Sequence, residues 1–111
     1  MERFRNITII FFLVVVLPAS AALAQSASVL LQEGLHAEQI TGDLDAAIKV
    51  YERVLKDFPQ SRSQAAQALL HIGLCYEKLG KQEAQKAYQR LIKEYADQAQ
   101  PVQTADRRAH V

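Results

Sequence analysis

The 111-residue sequence predicts an all-α protein, a stack of antiparallel helix hairpins amounting to about two repeats plus a partial C-terminal helix. Three observations carry this prediction. The phrase YERVLKDFP, which begins at Tyr51, returns in altered form as YQRLIKEYA at Tyr88. Tyr51/Tyr88, Arg53/Arg90, Val54/Leu91, Leu55/Ile92, Lys56/Lys93 and Phe58/Tyr95 therefore match at one offset of 37 residues. A fixed period of that length marks supersecondary units that bury their apolar faces on one another. Apolar residues recur three and four apart, the helical period, and the breaks fall on turn-forming Gly42, Pro59 and Gly80.

Residues 1–24, MERFRNITIIFFLVVVLPASAALA, stand apart in composition: arginines at 3 and 5, an unbroken apolar run over 9–17, then Pro18 and small residues. This is the pattern of a secretory signal, with Ala22-Leu23-Ala24 as a small-x-small cleavage site that would leave Gln25 as the new terminus. The 11 residues from Ile7 to Leu17 make about 17 Å of helix against roughly 30 Å of hydrocarbon, too little to span comfortably. We therefore expect a cleaved, periplasmic or secreted bacterial protein with no membrane span after cleavage. Gln25, and not a cysteine, stands directly after the cleavage site, so a lipid anchor is not expected.

The remaining elements follow in order. A helix over 29–40 places Leu30, Gly34, Ala37 and Ile40 on one side, and Gly42-Asp43 supplies a tight turn and a capping carboxylate for the next. Over 44–58 the apolar set Leu44, Ala47, Ile48, Tyr51, Val54, Leu55 and Phe58 faces away from Lys49, Glu52, Arg53, Lys56 and Asp57, and Pro59 ends it. Ser61 with Gln64 three residues on has capping-box spacing and opens a helix that stops at Gly80. Residues 83–95 repeat the helix that starts at Leu44. The tail PVQTADRRAHV begins like another first helix, since Val102 and Ala105 fall 37 after Ala65 and Ala68, and then turns polar. It is either a polar end cap or the start of a further repeat. The domain plan is thus a signal at 1–24, two hairpins over 25–100 and a capping segment at 101–111.

Bulk properties narrow the partners. The chain has 13 basic and 12 acidic side chains; without the leader's Arg3, Arg5 and Glu2 it has 11 of each. A neutral chain has no bulk field to gather phosphate backbones or anionic lipid, so nucleic acid is not an expected partner. The 87 residues after the leader make one domain near the size where a single core is marginal. The one cysteine, Cys75, cannot form an internal disulfide, so packing alone must hold an exported chain together. It reads as a small buried hydrophobe, with an intermolecular disulfide or redox handle as the alternative.

Leu69, Ile72, Gly73 and Tyr76 in one helix, and Ala47, Tyr51 and Pro59 or Ala84 and Tyr88 in the other, resemble the signature of the tetratricopeptide repeat. The resemblance implies a right-handed stack in which Gly and Ala let helix backbones approach and the aromatic fills the space between pairs. It departs in places: Ala37 stands where the second copy has Tyr76, Ala96 where a proline is expected, and Gly34 to Gly42 spans eight residues against seven from Gly73 to Gly80. The stretch FPQSRSQAAQALLHIGLCYEKLG is similar to the longer-period type of bacterial envelope proteins, such as the outer-membrane assembly lipoprotein and the Tol-Pal-associated coordinator.

No constellation for chemistry is present. The sequence lacks a glycine-rich phosphate loop and a nucleophile elbow, and its three histidines, His36, His71 and His110, fall in separate helices. Glu33 and His36 have di-iron spacing without the matching second motif, and His71 with Cys75 offers two ligands where a metal needs more. We expect no enzyme, no cofactor and no metal. The basic sets Lys49, Arg53, Lys56 and Lys86, Arg90, Lys93 read as a solvated face, with Asp57 and Glu94 in pairing distance along the helix.

The resemblance implies a concave binding surface built three before, one after and four after each glycine. From Gly34 these are Leu31, Leu35 and Glu38, and from Gly73 they are Leu70, Leu74 and Glu77, rimmed by Gln39, Gln67, His71 and Lys78. Four leucines fully removed from water, at about 1.5–3 kcal/mol each, would hold an apolar peptide or helix, with the glutamates favouring basic flanks. The expectation is therefore an exported interaction module for a protein or peptide of the cell envelope. Two alternatives remain at this point. The leucines are ordinary core covered by the C-terminal helix or by self-association, or the chain is the N-terminal adaptor of a larger exported enzyme or β-propeller protein.

Overall fold

The computed structural model describes residues 19–110. Five α-helices follow one another: α1 (Ala19–His36), α2 (Leu44–Asp57), α3 (Arg62–Lys78), α4 (Glu83–Glu94) and α5 (Ala99–Ala109). A single π-turn, Ala37–Thr41, prolongs α1, and no strand occurs among the described residues. The fold is the all-α hairpin stack that the repeat predicts. The leader's apolar run, residues 9–17, lies outside the described residues. α1 starts at Ala19, ten residues ahead of the start that periodicity suggests, because alanine-rich sequence extends a helix without adding an apolar stripe.

The turns are set by the residues that the sequence singles out. Gly42 and Gly80 both close their helices in the left-handed region, at φ 72° and 70°, which a side chain would strain. Asp43 Oδ1 accepts the Ala46 backbone N–H at 3.1 Å and caps α2. The Ser61 capping box does not form. Ser61 makes no side-chain cap, and Gln64 Nε2 donates instead to Ser28 Oγ on α1 at 3.2 Å, exchanging a local bond for one between hairpins. The extra residue between Gly34 and Gly42 is absorbed by the π-turn, where the Asp43 N–H and the Thr41 hydroxyl both reach the Ala37 carbonyl at 2.9 Å.

α1, α3 and α5 are the first helices of successive units and touch one another in series; α2 and α4 are the second helices, each packed on the first helices that flank it. The buried core runs from Ala27 to Ala105 and is rich in alanine, with Tyr51, Tyr88, Leu91, Val54 and Cys75 as its largest wholly buried side chains. Without a proline after α4, the α4–α5 turn is fastened by Arg62 at the start of α3. Its guanidinium donates to both Asp97 oxygens and to the Glu94 carbonyl, and lies 4.8 Å over the Tyr95 ring. The hydrogen bonds from Arg62 hold the Asp97 carboxyl well below the usual carboxylate range.

Each tyrosine ring sits directly on a glycine of the preceding helix. A β-carbon at Gly34 would lie 2.7 Å from Tyr51 Cδ1, and one at Gly73 would lie 2.8 Å from Tyr88 Cδ1, both inside contact distance. Gly73→Ala is therefore expected to destabilise the fold by about 1–3 kcal/mol, overpacking outweighing the roughly 1 kcal/mol that alanine gains in helix propensity. Urea unfolding checks it: in a Tyr88→Leu background the penalty should shrink or reverse, and an equal penalty in both backgrounds would refute the contact as its cause.

Candidate partner-binding face

Because the first helices lie side by side, residues one repeat apart on α1, α3 and α5 form rungs across a common face. Gln64 to Ser28 is one rung. A second joins Glu38 to α3: the Cys75 thiol donates to Glu38 Oε1 at 3.1 Å, and His71 Nδ1 lies 3.0 Å from Glu38 Oε2. The third joins Glu77 to α5, where Arg108 Nη1 donates to Glu77 Oε2 at 3.0 Å. Glu38 and Glu77 hold the same position, four residues after a repeat glycine, and each is met by the residue two places before the glycine position of the next unit. The donors differ in reach, a short imidazole for the buried glutamate and a long guanidinium for the more open one.

The Glu38 carboxylate is the one buried charged group among the described residues, its side chain only 2% exposed. The π-turn carries it inward, so the inserted residue and the buried charge belong together. Burial first, then the Glu38 carboxylate that accepts its hydrogen, pushes the Cys75 thiol up to about 12. At neutral pH this cysteine is a neutral hydrogen-bond donor and not a nucleophile. The His71 ring also lies 5.5 Å from the Tyr51 ring. Neither the Tyr51 nor the Tyr88 hydroxyl has a hydrogen-bond partner, although both are buried. Burial is the first cause that pushes both phenols well above their ordinary value; the Glu38 charge adds to it at Tyr51, and the close approach of the Glu77 carboxylate to the hydroxyl adds to it at Tyr88.

These placements redistribute the residues expected to form the groove. Leu31 is 5% exposed and belongs to the core, as Glu38 does to its buried cluster, so neither is open to a partner. Leu35, Leu70 and Leu74 are half-buried on adjacent first helices, the first two packed on the core. Gln39, Gln67 and Lys78 are exposed around them, and His71 and Glu77 are partly buried within their rungs. The open face is therefore three leucines with a polar rim, smaller than the four-leucine set. The missed feature was the Glu38 cluster. Its signal was present in the recurring glutamate together with two donors four apart on the next first helix.

On the other side, α2 and α4 are separated by a cleft of about 270 Å³ floored by Leu55, Leu69, Ile72 and Tyr76 and flanked by Glu52 and Arg90. The repeated lysines and arginines are exposed, Lys86 and Arg90 of them at this cleft, and Arg90 Nε donates to Glu94 Oε2 at 2.9 Å, as the helical spacing predicts. Among the described residues, no group of three or more potential ligands is arranged to hold a metal ion. No described helix is long and apolar enough to cross a membrane.

The geometry defines a class, a stack of helical hairpins whose first helices lie side by side and share one face. The chain belongs to the tetratricopeptide repeat family, whose model matches residues 21–61 and 67–97. Repeats of this family are protein–protein interaction modules. Neither the characterised proteins nor the solved structures that were compared gave a significant match.

Removing His71 leaves a buried carboxylate with a thiol as its remaining donor. His71→Ala is expected to lower the unfolding free energy by about 1–3 kcal/mol, the range for a buried polar group that loses a partner. In a Glu38→Leu background the same change should cost much less. Denaturant titration of the four proteins measures the coupling, and strict additivity would show that the pair does not interact.

Proposed function

We propose that this protein is an exported, periplasmic interaction module of a bacterial cell envelope, capturing an apolar helix or peptide of another envelope protein on the face formed by α1 and α3. The observation that carries this reading is the adjacency of Leu35, Leu70 and Leu74, half-buried and ringed by Gln39, Gln67 and Lys78. Three aliphatic side chains at helical spacing on neighbouring rods suit the i, i+3, i+4 anchors of an amphipathic segment. With Glu38 and Glu77 engaged inside the protein, selection rests on apolar fit and not on attraction to basic flanks.

Export is supported by the leader's arginines, apolar run and Ala22-Leu23-Ala24 site. Intact-mass analysis of the protein recovered from the periplasm should give a chain starting at Gln25, and a chain retaining residues 1–24 in the cytoplasm would defeat the export reading.

For binding, a photo-crosslinking residue is placed at Gln67 in cells. Leu74→Asp is expected to leave helicity and unfolding nearly unchanged while the crosslinked adduct falls at least about tenfold, one aliphatic anchor being worth at least about 1.4 kcal/mol. An undiminished adduct would remove this face from consideration.

A further inference from the structure

The only large hydrophobic side chains classed as exposed among the described residues are Val29 at 64% and Ile40 at 73%, and both belong to α1 and its π-turn. With Glu33 and His36, both exposed, they are spaced four, three and four apart and form one stripe along the helix, opposite the buried Ala27, Leu31, Gly34 and Glu38. The positions have counterparts in α3 one repeat later: Val29, Glu33 and His36 stand where α3 has Ala68, Ile72 and Cys75, all buried. Cys75 reaches back to Glu38, so this is the side that α3 turns toward the preceding hairpin. Among the described residues that side of α1 is uncovered, and exposed aliphatic side chains at the end of a repeat stack are a surface that repeat proteins cover or make polar.

The pattern of the stripe selects its occupant. Read from either end it gives aliphatic, charged or titratable, charged or titratable, aliphatic. A two-fold axis passing beside α1 between Gly34 and Leu35 lays a second α1 antiparallel on the first. It then brings Val29 against Ile40 of the second copy and Glu33 against His36 of the second copy, with both contacts made twice. No shift of one turn in register keeps both matches. Such self-complementarity is what an isologous interface requires, and the opposed carboxylate and imidazole fix the register. The geometry points to a homodimer formed end to end through the Val29, Glu33, His36, Ile40 stripe of α1, with the leucine face of each copy left open. The inference does not rest on the groove reading, since the stripe lies on the opposite side of α1 from the buried residues and contains none of the groove leucines.

The test uses the full chain and reads oligomeric state by light scattering and sedimentation. Wild type should be a dimer in equilibrium with monomer. Ile40→Lys should raise the dissociation constant at least about a hundredfold with unchanged helicity, because the symmetric interface loses two aliphatic contacts, each worth at least about tenfold. Glu33→His and His36→Glu should each weaken the dimer, and the double variant Glu33→His/His36→Glu should restore it. Register is read by oxidation: Val29→Cys chains mixed with Ile40→Cys chains should form a heterodisulfide, whereas Val29→Cys alone should not. A helix rise of about 1.5 Å per residue separates the two copies of position 29 by about 16 Å along the axis, beyond disulfide reach. Cys75 is fully buried and should stay silent. A wild-type chain that stays monomeric at millimolar concentration overturns the proposal. So does a dimer that survives Ile40→Lys, or equal crosslinking by Val29→Cys alone.

Discussion

Tyr51 lies with its ring against the backbone of Gly34, and Tyr88 repeats the contact on Gly73; most of the remaining architecture depends on this pair of contacts. A glycine inside a helix costs about 1 kcal/mol in propensity, so it persists only where something needs the missing β-carbon. Here the space admits a whole aromatic ring between a first helix and the second helix that packs on it. The alanines around it, among them Ala47, Ala65, Ala68, Ala84 and Ala87, keep neighbouring backbones close enough that each ring is fully enclosed. Small residues alone would bury little apolar area, and large ones alone would hold the rods apart. The ring on the glycine satisfies both demands, and it recurs because the hairpin recurs.

The enclosed rings carry an electrostatic consequence. Both hydroxyls end in the interior without a partner, which is unfavourable, and both ends lie near a repeat glutamate. Those glutamates are in turn drawn into rungs between first helices, Glu38 to His71 and Cys75, Glu77 to Arg108. A buried carboxylate is tolerated only with good donors around it, which explains why the better-buried of the two has two donors. The rungs also give the first-helix layer a polar specificity that alanine packing lacks. Alanine faces slide past one another at little cost, whereas a carboxylate that must find an imidazole and a thiol fixes one register.

Much of this was legible in the sequence. The 37-residue repeat, the glycines at 42 and 80, the Asp43 cap and the burial of Tyr51 and Tyr88 all follow from local rules, because turn chemistry and helical period are written in neighbouring residues. What was not legible involves partners far apart in the chain. The spacing of Ser61 and Gln64 is that of a capping box, but Gln64 has a competing acceptor in Ser28, 36 residues away. The eight-residue interval after Gly34 was visible as an irregularity, but not that a π-turn would absorb it and sink Glu38. Leu31 could not be distinguished from Leu70 by pattern. The two stand at the same place relative to their glycines, yet Leu31 is buried and Leu70 only half-buried.

That difference between α1 and α3 is where the physics of a short stack departs from that of a long one. In a long array nearly every first helix has neighbours on both sides, and stability is a sum of repeating units and repeating interfaces. Among the described residues α3 alone has a first helix on each side of it, so its Ala68, Ile72 and Cys75 are enclosed, while α1 and α5 each have a side on which no described helix packs. On α5, Gln103 and Asp106 are exposed. The core has no disulfide and is dominated by alanine, each of which contributes little when buried. Cooperativity must therefore come from α3, which contacts every other helix of the stack. A perturbation on α3 is felt in both hairpins at once, whereas one on the outward side of α1 or α5 leaves the tyrosine–glycine contacts intact. The surfaces that can change without disturbing the core are thus the outward sides and the first-helix face, and the part that cannot is the middle.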